Sequence, residues 1–226
     1  MCSSDLAIIE YPHTIPDGTP EEREAFRQRY IEENRQIREN PALLAYFGPD
    51  EVMLRGIPVP RVLEGSELVR EADPYHPIFY NEAPCGTAEA QSEYAVIGDA
   101  VGRDIYPVGA PHGDMVEDRS MTAVGKHTDI CHASVDYNKP VWMILQALGW
   151  AHIQAGNNTK TVAEVPGLEY PTYEQNRFMA YNAILHGATG IMYHYLGYTV
   201  HVPDEYWDGL RRVTLELAYL SDVYTA

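Results

Sequence analysis

Short apolar runs alternate with longer stretches of helical spacing from one end of the chain to the other. The apolar runs have the length and content of buried strands, and they cover residues 6–11, 41–47, 76–81, 100–106, 140–147 and 190–195. The intervening stretches predict helices over about residues 19–40, 60–72, 87–97, 119–138, 172–187 and 204–223. No two neighbouring strands are joined by a hairpin turn, so the pattern predicts a parallel sheet whose strands are connected by helices.

Two of the predicted helices carry specific start signals. Thr19-Pro20-Glu21-Glu22 combines an N-cap threonine, a proline at the first helical position and a glutamate that can close a capping box. Thr172 with Gln175 repeats the capping-box pattern, and Gly187 is placed to end that helix. These signals support the assignment of both stretches as helices rather than as loops.

Two α/β architectures accommodate this alternation. A doubly wound nucleotide-binding sheet should carry a glycine-rich phosphate loop, but the sequence contains neither G-x-G-x-x-G nor G-x-x-x-x-G-K. A TIM (β/α)8 barrel needs no such loop and typically uses about 250 residues. Six strand–helix units in 226 residues are two short of that barrel, and the first strand lies almost at the N-terminus. We therefore expect strands three to eight of an incomplete TIM barrel, N-terminally truncated, in a single domain over residues 1–226.

Composition and charge narrow the choice of partners. A hydrophobic content of 45% excludes a disordered chain, and the net charge of −17 argues against nucleic acid and against an anionic membrane surface. Seventeen tyrosines and three tryptophans suit either core filling or the stacking of sugar rings. No apolar run is long enough for a membrane span, no signal peptide is visible, and the three cysteines form neither a disulfide framework nor a C-x-x-C pair.

The candidate chemistry lies where the predicted strands end, because barrel enzymes carry their reactive groups at the carboxyl ends of the strands. The polar and aromatic residues at these ends are Asp50, Glu51, Asn81, Glu82, Asp104, Tyr106, Gln146, Trp150, His194, Tyr195 and Tyr198. Two carboxylates that face a cleft can hydrolyse a glycoside, one as the acid and the other as the nucleophile or base. That chemistry requires no cofactor and no metal.

Several segments resemble those of barrel glycoside hydrolases of the clan-A type. Residues 41–51 are similar to the fourth-strand segment of those enzymes, which ends in the general acid/base glutamate. Residues 101–107 resemble the sixth strand, residues 140–150 the seventh, and residues 171–191 the helix leading into the eighth strand. The resemblance implies a glycosidase with Glu51 as general acid/base, acting on a saccharide and secreted or periplasmic.

One residue departs from that resemblance. Retaining members of the clan end strand seven with a nucleophilic glutamate, whereas this chain has Gln146, whose amide cannot form a glycosyl ester. Either the second carboxylate is Asp104, Glu82 or a residue on the missing strands, or the reaction is inverting, or the barrel only binds carbohydrate. The substrate-binding candidates are Asn81, Tyr106, Gln146, Trp150, His194, Tyr195 and Tyr198.

The simpler interpretations of these residues stay open. Glu51 could pair with an arginine or cap a helix, and Glu82 could serve the turn beside it. Adjacent strand residues point to opposite faces, so Asp104 and Arg103 cannot pair across the strand, and Asp104 is expected to face the barrel interior. The acids and histidines also allow a metal-dependent barrel hydrolase, but His127, Asp129 and His132 lack a ligand spacing. An incomplete barrel exposes two sheet edges, which favours aggregation or a homo-oligomer.

Overall fold

The computed structural model describes residues 7–12, 14–110, 117–150, 170–194 and 202–224, and strands and helices alternate along them. The strands are β1 (Ala7–Glu10), β2 (Leu43–Asp50), β3 (Ile78–Glu82), β4 (Ala100–Ile105), β5 (Trp142–Gln146) and β6 (Gly190–His194). The helices are α1 (Pro20–Ile37), α2 (Val59–Ala72), α3 (Ala88–Tyr94), α4 (Ala123–Ser134), α5 (Tyr173–Leu185), α6 (Asp204–Tyr219) and α7 (Ser221–Tyr224). The predicted α/β alternation is therefore confirmed.

The strands follow chain order in one six-stranded sheet, and the pairs β1–β2, β2–β3, β4–β5 and β5–β6 are parallel. A parallel sheet in which each strand neighbours the next, with helices between them, is the arrangement of a (β/α)8 barrel. The fold is thus consistent with part of such a barrel. The numbering of these strands as three to eight stays a prediction.

Local sequence signals explain the helix ends. Thr19 accepts a hydrogen bond from the Glu22 amide while Glu22 accepts one from the Thr19 amide, so the predicted capping box of α1 is confirmed. The same reciprocal pair joins Thr172 and Gln175 at α5. Gly187 follows α5 with φ +96°, a conformation that glycine adopts without the steric cost of a Cβ atom.

Strand β2 extends further than the sequence pattern predicts. The apolar run ends at Phe47, before Gly48-Pro49, yet the strand continues to Asp50, with a shift of register against β3 after Phe47. Proline lacks a backbone donor and is tolerated in a strand where the ladder is interrupted. The shift places Asp50 opposite Asn81, so that polar residues of two neighbouring strands meet at their carboxyl ends.

The chain divides into two compact units, each with its own core: Met1–Gly102 with Cys131–Pro140, and Arg103–Ile130 with Val141–Ala226. In the first unit Tyr30 of α1, Tyr46 of β2 and Leu68 of α2 are buried together. In the second unit the buried apolar residues include Met143 and Leu145 of β5 and Met179 of α5. None of the helices that the structure describes is both long and apolar enough to cross a membrane.

A buried carboxylate joins the segment before β3 to the core of the first unit. Asp73 is fully buried and accepts hydrogen bonds from the Tyr46 hydroxyl at 3.0 Å, from the Tyr75 and His76 amides, and from His76 Nδ1 at 2.7 Å. Burial opposes ionisation, but these donors outweigh it and hold the pKa of Asp73 below its usual value.

We expect the Asp73→Asn variant to be less stable than the wild type by about 2 kcal/mol at pH 7, because an amide nitrogen would face donors that need an acceptor. Since the folded-state pKa is lowered, the wild-type contribution is present above the unfolded pKa of about 3.9 and is lost as pH falls through the folded value. Denaturant unfolding of both proteins between pH 3 and pH 7 measures this. A difference in unfolding free energy between the two proteins that does not shrink toward pH 3 would contradict this expectation.

Candidate active site

Glu51 lies in a constrained turn directly after β2. Its φ angle of 50° falls in the left-handed region, which is uncommon for a residue with a side chain. Its amide donates to the Asn81 carbonyl at 3.0 Å, and its carbonyl accepts from the Arg55 amide at 2.9 Å. The backbone at Glu51 is therefore held through both its amide and its carbonyl, and the turn fixes the direction of the Cα–Cβ bond.

The surroundings of the Glu51 carboxyl favour its protonated form. Its side chain is only 25% exposed, and burial raises its pKa above the usual value, with a further contribution from the negative charge of Asp50. The Arg55 guanidinium opposes this, because Nη2 lies 3.9 Å from Glu51 and 3.5 Å from Asp50. An upward shift of the pKa is the direction that general acid catalysis requires of a carboxyl group.

Asn81 supports the same turn from β3. Its side chain is 2% exposed, and Nδ2 donates to the Asp50 carboxylate at 3.0 Å. Together with the bond from the Glu51 amide, this makes Asn81 a bridge between the ends of β2 and β3. Sequence reasoning selected Asn81 as a substrate-binding residue, and the structure gives its amide nitrogen a partner within the protein.

Glu82, at the end of β3, is fully buried, and its carboxylate is occupied by donors from the protein. Oε2 accepts from the Met53 amide and from the Tyr80 hydroxyl, both at 2.9 Å. Oε1 accepts from the Ala83 amide at 3.0 Å and from the Leu54 amide at 3.3 Å. Both oxygens thus hold backbone of the turn that follows Glu51.

Gln146, at the end of β5 in the second unit, uses its side-chain amide as a clamp on the backbone. Oε1 accepts from the Val108 amide at 2.9 Å, and Nε2 donates to the carbonyls of Val108 at 2.8 Å and of Leu148 at 3.0 Å. The side chain is fully buried. An amide satisfies this set, because it offers an acceptor on one side and two donors on the other.

Three of the residues predicted to bind substrate meet in one aromatic cluster in the second unit. The Tyr106 and His194 rings stack with centroids 5.5 Å apart, and Tyr106 meets Trp150 edge-on at 6.3 Å. Trp150 Nε1 donates to the Tyr106 carbonyl at 2.8 Å. The cluster combines flat ring faces with polar edges, the combination that suits a sugar ring. Tyr195 and Tyr198 lie outside the described residues.

Asp104 and Arg103 are consecutive buried residues of β4 with different surroundings. Asp104 is 9% exposed and lies opposite Ile144 of β5, whereas Arg103 is fully buried and Nη1 contacts His127 Nδ1 at 3.1 Å. Burial, together with the Arg103 charge, lowers the pKa of His127 to about 4, so that imidazole is neutral at pH 7.

The residues considered for a metal have other partners. Asp129 accepts a hydrogen bond from His186 Nδ1 at 2.9 Å, and the His132 ring stacks on Tyr137 with centroids 5.2 Å apart. Within the described ranges, no three histidine, cysteine, aspartate or glutamate side chains are grouped so that they could hold a metal ion.

Two features of the site were missed by sequence reasoning. Arg55 was not selected, although its spacing of four residues from Glu51 is a signal for an ion pair within a helical turn. The Met53 and Leu54 amides that donate to Glu82 had no signal at all, because the direction of these backbone groups depends on the turn.

Comparisons with known proteins bear on the fold. No protein-family description and no curated protein matches the chain. Among solved structures, the chain is similar to a polyextremophilic beta-galactosidase from the Antarctic haloarchaeon Halorubrum lacusprofundi, with a TM-score of 0.61 and 14% identity over 94% of this chain. It is also similar to a putative alpha-L-fucosidase from Bacteroides thetaiotaomicron, with a TM-score of 0.53 and 9% identity over 82% of this chain. The chain spans 48% and 59% of the lengths of these proteins, respectively. At such low identity the likeness establishes a shared fold.

Proposed function

We propose that the chain belongs to a glycoside hydrolase that cleaves O-glycosidic bonds of a saccharide by carboxylate acid/base catalysis. The observation that carries this proposal is the environment of Glu51, a carboxyl group at the end of a parallel strand whose surroundings favour its protonated form. The fold shared with proteins described as a beta-galactosidase and an alpha-L-fucosidase supports the same chemistry. One fold serves many activities, so a shared fold alone does not assign a catalytic function.

In this proposal Glu51 donates its proton to the glycosidic oxygen as the bond to the leaving group breaks. Asp104, a buried carboxylate at the end of β4, supplies the second carboxylate. Glu82 is the alternative for that role, and both of its oxygens accept hydrogen bonds within the protein. Tyr106, Trp150 and His194, whose rings lie against one another, are the aromatic residues that the proposal assigns to the binding of a neutral sugar.

The test is hydrolysis of a panel of aryl glycosides and oligosaccharides that includes β-D-galactosides and α-L-fucosides. Turnover of at least one member that disappears in the Asp104→Asn variant supports the proposal. Addition of azide to the Asp104→Ala variant then tests whether Asp104 is the nucleophile or the base. Azide replaces a missing carboxylate nucleophile and yields a glycosyl azide. Wild-type protein that cleaves no member of the panel would contradict the proposal.

A second function, saccharide binding without turnover, is favoured by one observation. Gln146 stands where the resemblance expects a nucleophile, and its amide is committed to the backbone of Val108 and Leu148. Calorimetric binding of a saccharide with no product after prolonged incubation would favour this second function over hydrolysis. Any product that depends on Glu51 would exclude it.

If Glu51 is the acid, replacing Arg55 by Gln is expected to shift the alkaline limb of the kcat/KM profile to higher pH. Arg55 lowers the pKa of Glu51, so removal of Arg55 allows Glu51 to keep its proton to a higher pH. The shift is expected to stay below about one pH unit, because Arg55 is 47% exposed and solvent screens its charge. An alkaline limb that moves to lower pH would contradict this assignment.

A further inference from the structure

Glu82 connects the end of β3 to the turn that carries Glu51. The Met53 and Leu54 amides, which donate to its two oxygens, lie two and three residues after Glu51. The far end of the same turn is held separately, because the Tyr94 hydroxyl of α3 donates to the Ile57 carbonyl at 3.1 Å. Glu82 therefore holds the middle of the turn, in addition to the backbone bonds within it.

The turn needs such support because Glu51 is held in a left-handed conformation. A residue with a Cβ atom pays about 1 kcal/mol or more for that conformation, and it persists only when neighbouring contacts impose it. Glu82 supplies contacts on one side of Glu51, and the Asn81 carbonyl supplies one at Glu51 itself. Release of the Met53 and Leu54 amides would allow Glu51 to relax to an ordinary backbone conformation, which would redirect its side chain.

We infer that Glu82 is a positioning residue for Glu51, which it holds in place through the Met53 and Leu54 amides. This inference rests on the proposed role of Glu51 as general acid. A carboxylate is required because all four groups around it are donors, and only an acceptor-only side chain satisfies them together. A glutamine would turn one nitrogen toward at least one backbone amide.

The experiment compares kcat/KM of the Glu82→Gln variant on two aryl glycosides of whichever sugar the panel identifies. A 2,4-dinitrophenyl leaving group departs without protonation, whereas a 4-methylphenyl leaving group needs the acid. We expect kcat/KM to fall by about 10- to 100-fold for the methylphenyl glycoside, as for a misplaced catalytic group. For the dinitrophenyl glycoside the fall is expected to stay below about threefold, since that substrate does not require Glu51.

A double-variant cycle tests whether Glu82 acts through Glu51. In the Glu51→Gln background, Glu82→Gln is expected to cause no further loss on the methylphenyl glycoside, because the group that it positions is already gone. Additive losses would overturn the inference. So would equal losses on both substrates, and so would restoration of turnover in the Glu82→Ala variant by azide, which would make Glu82 the nucleophile.

Asp73→Asn is the matched control, because Asp73 is another fully buried carboxylate that accepts two backbone amides and a tyrosine hydroxyl. It lies before β3, on a segment that does not carry Glu51. It is expected to lower stability without any preference between the two leaving groups. If Glu82→Gln does not fold, Tyr80→Phe removes a single donor to Glu82 and is expected to give the same preference with a smaller loss.

Amide hydrogen exchange gives a result that is independent of turnover. In Glu82→Gln or Tyr80→Phe, exchange is expected to accelerate at the Glu51 and Arg55 amides, which donate to the Asn81 and Glu51 carbonyls and not to Glu82. Unchanged exchange at Glu51 would overturn the inference even if no glycoside is cleaved. If the wild type cleaves no glycoside of the panel while exchange at Glu51 accelerates in the variants, the proposed function is refuted. The positioning role of Glu82 is then still supported.

Discussion

The Glu51→Gln variant is expected to lower kcat/KM by about 10²- to 10⁴-fold on glycosides with poor leaving groups, the range associated with loss of a positioned general acid. Glutamine keeps the size of the side chain but has no proton of suitable acidity to transfer to the glycosidic oxygen. The loss is expected to be much smaller on a 2,4-dinitrophenyl glycoside, because that leaving group departs without protonation. Initial rates on the two substrates measure the difference directly.

The same substitution is expected to leave the fold intact. The Glu51 carboxylate lies 3.9 Å from the Arg55 guanidinium, and an ion pair with one partner 47% exposed contributes about 1 kcal/mol or less. Glu64→Gln is a matched control, since Glu64 has a similar exposure of 33% and also pairs with an arginine, Arg23 of α1. It is expected to keep kcat/KM within about twofold of the wild type. Unchanged turnover in Glu51→Gln would remove the proposed acid.

Much of the fold could be predicted because its signals are local. The capping boxes at Thr19 and Thr172 depend on residues three positions apart, and the strand runs are short and apolar. The predicted end of β2 was wrong by three residues. Gly48-Pro49 usually ends a strand, whereas here it coincides with a shift of register. That shift depends on the pairing with β3, which no local pattern contains.

For the candidate site, the sequence predicts which side chains belong to it but not the backbone that positions them. Glu51, Asn81 and Glu82 were selected from their place at strand ends. In the structure Asn81 and Glu82, at the end of β3, accept hydrogen bonds from the turn that begins at Glu51. What the sequence does not contain is the left-handed backbone of Glu51, since glutamate carries no preference for it. The Met53 and Leu54 amides that donate to Glu82 are backbone groups, so the support of the turn could not be predicted from residue types.

The departure at position 146 has a physical explanation that residue identity alone does not supply. Gln146 Oε1 faces the Val108 amide, in the segment after β4. Nε2 faces the carbonyls of Val108 and Leu148. One acceptor and two donors are needed to satisfy these groups, and glutamine is the side chain of this size that provides them. Gln146 therefore holds the backbone near Tyr106, whose ring belongs to the aromatic cluster.

Gln146→Glu is accordingly expected to destabilise the protein by about 3–5 kcal/mol at pH 7, the cost of an uncompensated buried charge. The new carboxylate would face two carbonyl oxygens in a fully buried position, so its ionised form is disfavoured and its pKa in the folded state is raised. A raised folded-state pKa means that the variant loses stability as pH rises through the unfolded value of about 4.3 and recovers part of it below.

Gln146→Met removes the same hydrogen bonds without a charge, so its loss of stability is expected to be smaller at pH 7 and independent of the titration of a carboxyl group at this position. Denaturant unfolding of both variants between pH 4 and pH 8 measures the two trends, and a Gln146→Glu variant as stable as the wild type at pH 7 would refute the clamp.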